Sequence, residues 1–241
     1  MKRTLAALAL VIAMVPATAL PQSSIISQIA GDKAASESLY FSLALGLNVA
    51  YLNGSGVDGR TGGFNAGLSA TIRLTERLSL SPGVTLFSRK GVSKLPFIVV
   101  GDPELDPYFA DPDRAELALA YVDIPVVVNC RLGRFSLGAG PFVGLLGSAT
   151  VRLRAELESG ETLRFTRDVK AIYRPLDYGL VFEGSWTASK PRRGMGLVFH
   201  FRYQAGLTNV HREYSGPLAV LPPGPARNSV FQVFVSFPFV R

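Results

Sequence analysis

The chain has 241 residues, a formal net charge of +7 and one cysteine, Cys130. The basic excess is mild and no basic run is interleaved with aromatics, which argues against a nucleic-acid partner. Cys130 alone permits no internal disulfide, and the length allows one domain, so stability must come from a large core or a closed hydrogen-bonded structure.

Met1-Lys2-Arg3 is a short positive start, residues 5–15 are apolar, and Ala17-Thr18-Ala19 supplies the small residues a signal peptidase reads. Residues 1–19 therefore read as a secretory signal cleaved after Ala19. The apolar stretch is short for a spanning helix, and no later run of about 18 apolar residues follows. Without Lys2 and Arg3 the net charge falls from +7 to +5, an excess assigned to solvated loops and lipid phosphates. Cys130 lies far from the cleavage site, which excludes a lipoprotein. Residues 20–38, small and polar from Gln22 onward, read as a flexible lead-in.

From residue 39 apolar side chains recur with a period of two, the mark of β-strands. The first strand takes residues 39–51, with Leu43, Leu45 and Leu47 on one face and Ser42, Ala44 and Asn48 on the other. The second spans about 63–74 and ends in Arg73-Leu74. The third spans about 78–89. Residues 90–116, rich in Asp-Pro pairs, read as a long loop. The fourth strand, about 117–131, sets Val122, Ile124, Val126 and Val128 against Tyr121 and Asp123. The fifth, about 135–148, puts Gly138, Gly140 and Gly144 on one face, which suits a crowded interior. Residues 152–173 are polar and charged. The sixth, about 176–186, opposes Tyr178, Leu180 and Phe182 to Asp177 and Glu183. The seventh, 194–207, opposes Phe199 and Phe201 to His200 and Arg202. A Pro-rich segment, 208–227, leads to the eighth, where Phe231, Val233, Val235, Phe237 and Phe239 share a face.

The connectors alternate long and short. Short turns at one end and long loops at the other are the habit of outer-membrane barrels, and eight strands make the smallest of these, with interiors filled by side chains. The expected fold is an all-β, eight-stranded antiparallel up-and-down transmembrane β-barrel over residues 39–241. Leu43, Leu45, Ile124, Val126, Leu180, Phe199, Phe201, Val233, Val235 and Phe237 would then face lipid. Arg73, Arg89, Asp123, Asp177, Glu183, His200 and Arg202 would form an interior charge network. Lone buried charges are costly, so these should pair, Asp123 with Arg202 or Arg73 for instance.

Several segments add a likeness. Ala120-Tyr121-Val122-Asp123-Ile124-Pro125-Val126, Gly138-Ala139-Gly140-Pro141-Phe142-Val143-Gly144, Asp177-Tyr178-Gly179, Arg202-Tyr203 with Gly206-Leu207-Thr208-Asn209, and Phe231-Gln232-Val233 occur in one order. Together they resemble the PorT-like outer-membrane β-barrel family, common in Bacteroidetes-type bacteria. The resemblance implies an eight-stranded outer-membrane barrel and little about activity; one named member of that family assists a gliding and secretion machine. Two departures stand out. The chain ends in Val240-Arg241 rather than an aromatic, and Pro238 removes one ladder donor from the last strand.

Other residues offer other chemistry. His211 with Ser215 and Glu213 could make a lipid-deacylating site, although proximity in a Pro-rich loop is common. Asp102, Glu104, Asp106, Asp111, Asp113 and Glu116 could hold Ca²⁺, against a solvated turn-rich loop. Phe97, Ile98, Val99, Val100, Tyr108 and Phe109 could dock a partner or extend the third strand. Arg152, Arg154, Arg164, Arg167 and Lys170 could meet lipopolysaccharide phosphates or be ordinary loop charges.

The sequence thus reads as a monomeric, non-enzymatic barrel of the bacterial outer membrane, plugged inside and without a cofactor or metal. Its partners would be outer-membrane lipid and a protein met through loops 90–116, 152–173 and 208–227, in a structural, adhesive or secretion-accessory role. The alternatives are a soluble lipocalin-like carrier of a small apolar ligand and a lipid-modifying enzyme.

Overall fold

The computed structural model describes residues 39–95, 104, 107, 115–156, 160–190, 194–212 and 224–240. The segments expected from the sequence to be a signal and a lead-in, residues 1–38, lie outside the described residues. Ten strands follow in chain order: β1 (Leu39–Asn53), β2 (Thr61–Arg73), β3 (Leu78–Ser93), β4 (Ala115–Leu132), β5 (Phe135–Glu156), β6 (Thr162–Asp168), β7 (Leu176–Ser189), β8 (Gly194–Met195), β9 (Leu197–Gly206) and β10 (Arg227–Val240). Successive long strands pair antiparallel, and β10 returns to β1 in continuous register from Phe41↔Phe239 to Asn53↔Arg227. The short strand β6 pairs only with the far end of β5. Both β8 and β9 lie along β10 and form one row broken at Gly196. The result is a closed eight-stranded antiparallel barrel. Closure leaves no row of backbone donors at an edge, which is what lets strands stand in hydrocarbon.

Pro238 finds its place at that break. Its carbonyl accepts a hydrogen bond from the Gly196 N–H at 2.8 Å. N–H and C=O of one residue point to the same side of a strand, so the donorless nitrogen of Pro238 also faces the interrupted neighbour.

Parts of two expected loops, 90–116 and 152–173, are strand. The row β3 continues to Ser93, and β5 runs on to Glu156 and folds back as β6. Charged residues disguised this. Arg152 and Arg154 are exposed, but the alternate residues Val151, Leu153 and Ala155 are buried to 2% exposure or less. A register shift against β4 at Ala120/Tyr121 moves the buried positions of β5 from even (Phe142, Leu146) to odd (Ala149, Val151), and beyond it the period of two resumes with a polar outer face.

A β-bulge between Thr85 and Ser88 decides what enters the lumen. Phe87 there has φ 57, and its ring stands outward, 66% exposed. Such a bulge adds one residue to the strand and exchanges its faces. Before it, the odd-numbered Thr85 is buried; after it, the even-numbered Ser88, Lys90 and Val92 are.

The lumen is filled in layers. At the end that bears the long connectors sits the main apolar core, including Leu117, Leu119, Val151, Leu153, Ile172 and Val210. A polar layer around Lys90 comes next, then a small apolar layer of Val127, Phe142 and Val181. Toward the short turns lies a second charged cluster facing a cavity of about 380 Å³.

Candidate functional site

The polar layer is centred on Lys90, whose side chain is fully buried. Its ammonium donates to Asp123 Oδ1 at 2.9 Å and to Asp177 Oδ2 at 3.2 Å, and both carboxylates are also buried. Asn228 Nδ2 donates to the same Asp177 oxygen at 2.8 Å. The rings of Tyr121 and Phe142 each lie 4.6 Å from the ammonium, so their faces cover the charge where oxygens do not. Five strands supply these groups: β3, β4, β5, β7 and β10. The cluster therefore ties opposite walls of the barrel together.

Glycine makes room for it. A Cβ on Gly144 would lie 2.6 Å from Asp123 Oδ1, and one on Gly206 would lie 3.2 Å from Asp177 Oδ1. The segments that carried the family likeness thus converge here, through Tyr121, Asp123, Gly144, Asp177 and Gly206. Lys90 opens the segment, residues 90–116, that the sequence pattern predicts as a loop. Nothing in the alternation reveals the bulge, because Arg89 and Lys90 are both basic. The apolar Val92, two residues on, was the one available sign.

Asp123 therefore meets Lys90, not Arg202 or Arg73 as the alternation suggested. The bulge brings a lysine to within reach, whereas Arg202 lies lower and is taken by another acid. Glu183 holds Arg202, with Nε donating to Oε2 at 2.7 Å, and its Oε1 lies 2.9 Å from His200 Nδ1. The other nitrogen of His200 lies 2.7 Å from Ser236 Oγ. Phe234 forms the roof of this cluster. The His200 ring stacks on it at 4.4 Å, and the Arg202 guanidinium sits 4.7 Å above the same ring. The register explains the meeting: Glu183 faces Arg202 across β7–β9, and Phe234 faces His200 across β9–β10.

Arg73 lines the cavity at the short-turn end and joins neither cluster. Arg89 is half-buried and pairs with Glu116 at 2.9 Å. Glu116 is thereby occupied, and Asp102, Asp106, Asp111 and Asp113 lie outside the described residues, as do Phe97, Ile98, Val99, Val100, Tyr108 and Phe109. Among the outward residues, Leu43, Leu45, Leu180, Phe199, Phe201 and Val233 are exposed, and Ile124, Val126, Val235 and Phe237 are half-exposed.

The hydrolytic candidate is not assembled among the described residues. The imidazole of His211 meets the Tyr173 ring edge-on at 5.8 Å, and burial holds its pKa below the usual histidine range. Ser215 and Glu213 lie outside the described residues. On the β5–β6 hairpin, Arg152, Arg154 and Arg164 are exposed, Arg167 lies over the Phe165 ring at 5.7 Å, and Lys170 Nζ donates to the Gly147 carbonyl at 2.6 Å.

An apolar outer wall around an ion-paired interior, in a barrel closed by β1–β10 pairing, defines the class: a membrane-spanning β-barrel. The family model "Outer membrane protein beta-barrel domain" matches residues 27–212, and the chain belongs to that family. Its place is the bacterial outer membrane. No curated protein matches the sequence. Among solved structures it is similar to OprG of Pseudomonas aeruginosa, at 11% identity and a TM-score of 0.40, over 86% of this chain and 99% of that one. Neisserial surface protein A matches at 14% identity and 0.38, over 83% and 96%. The attachment invasion locus protein of Yersinia pestis matches at 9% and 0.38, over 83% and 98%. Likenesses so distant carry no argument here; the family rests on the sequence match.

Proposed function

We propose that this protein is a non-enzymatic barrel with a plugged lumen, and that it acts through its outer surface in a structural, adhesive or secretion-accessory role. The reading extends to a PorT-like relationship, a cleaved signal at residues 1–19 and a monomeric state. The observation that carries it is the Lys90 cluster, which joins β3, β4, β7 and β10 across the lumen beneath an apolar core. Ions crossing this point would have to displace a buried ammonium from two carboxylates, a costly step in a low dielectric. The outward apolar side chains from Leu43 to Phe237 named above, exposed or half-exposed, serve as the lipid contact. Membership in an outer-membrane family speaks against the soluble carrier, and the edge-on packing of His211 against Tyr173 supports a structural role for that histidine.

Planar-bilayer recording of the folded protein tests the plug. It should insert without sustained current. Steady ohmic openings at every insertion would contradict a closed lumen.

A further inference from the structure

The outside of the wall carries a feature that the plugged lumen does not use. At the long-connector end, which faces outward in this family's membrane, a groove lies between β7 and β9. It is lined by Arg174, Pro175, Leu176, Tyr178, Thr208 and Arg212. Backbone bonds hold the two arginines in place: Arg174 N–H donates to the Val210 carbonyl at 2.8 Å, and Arg212 N–H to the Ile172 carbonyl at 2.9 Å. Tyr173 and His211 bridge between them. Tyr178 N–H is fixed by Thr208 Oγ1 at 3.0 Å.

Both arginine side chains are exposed, and neither is ion-paired among the described residues. Arg174 shares its face with Leu176, Tyr178 and Leu180, which are 49%, 56% and 43% exposed. Two exposed arginines thus line one groove together with the outward-facing Leu176 and Tyr178. Arginine suits phosphate because its planar fork gives two parallel hydrogen bonds, and the exposed apolar wall beside it suits an acyl chain. An amphiphile with a phosphorylated head satisfies both halves at once. Free phosphate would leave the apolar half without a role.

We propose that this groove binds a phosphorylated glycolipid of the outer leaflet, its phosphate between Arg174 and Arg212 and an acyl chain along Leu176, Tyr178 and Leu180. The proposal rests on outer-membrane placement and is independent of the lumen plug.

The test uses the full chain, folded in detergent, with native mass spectrometry to count bound lipid. The probes are bisphosphorylated lipid A, its dephosphorylated form and inorganic phosphate. Electrophoretic mobility without heating reports whether each variant is folded. R174A/R212A should weaken phosphorylated lipid A binding at least about tenfold, as loss of charge-assisted bonds implies, and leave the dephosphorylated lipid unaffected. The single variants R174A and R212A are measured alongside, so a folding defect in the double variant leaves two readouts. Equal lipid A binding by the wild type and all variants overturns the site. So does wild-type binding of inorganic phosphate as tight as that of the phosphorylated lipid. Failure of the placement itself would appear differently, as a protein missing from the outer-membrane fraction of cells.

Discussion

The outer and inner halves of the lumen are walled by the same eight strands but filled by different chemistry. The outer half holds Lys90 between two carboxylates under a packed apolar core, with the charged side chains wholly buried. The inner half holds Glu183, Arg202 and His200 beside a cavity of about 380 Å³, and their side chains keep 6–14% exposure. The difference teaches where an interior ion pair matters. In the fully buried half each charge depends most on its partner. In the half next to a cavity, water can stand in for a lost one.

Substitution at Lys90 should break that contrast most visibly. Lys90→Met leaves Asp123 and Asp177 buried without their cation, and should lower stability by about 3–5 kcal/mol in urea unfolding of the detergent-folded barrel. Replacing all three groups, as K90M/D123N/D177N, should restore much of the loss, because it removes the stranded charges. A loss unchanged in the triple variant would mean that shape rather than charge fixes the layer.

Glu183→Gln should cost less, about 1–3 kcal/mol, because Arg202 and His200 can turn toward the cavity for solvation. The same unfolding assay measures it. A loss equal to that of Lys90→Met would abolish the distinction between a fully buried half and one beside a cavity.

The two halves also differed in how far the chain alone disclosed them. Glu183, His200 and Arg202 were legible as interior because their strands keep an unbroken period of two. Phe234, which joins them as a roof, sat on the expected inward face but its stacking on His200 and Arg202 depends on register across β9–β10, which one sequence does not state. In the outer half the alternation was interrupted. The bulge at Phe87 exchanged the faces of β3, so Lys90 entered the lumen and Arg89, expected inside, went to Glu116. Two strand extensions were hidden as well, because Arg152 and Arg154 on the outer face of β5 look like loop residues. Asp123 and Asp177 were visible; the group that brings them together was not. Legibility followed local periodicity, and it failed where an inserted residue reset the period.

The most direct test of a sealed outer half is thiol labelling in a Cys130→Ser background. Ser136→Cys faces the inner cavity, and Ser88→Cys sits fully buried beside Lys90. Both are near-isosteric changes. On the folded barrel a small water-soluble maleimide should react with Ser136→Cys and leave Ser88→Cys unmodified until urea unfolds the chain. Labelling of both at the same rate in the folded state would mean that water runs through the outer half, contradicting a lumen closed by the Lys90 cluster.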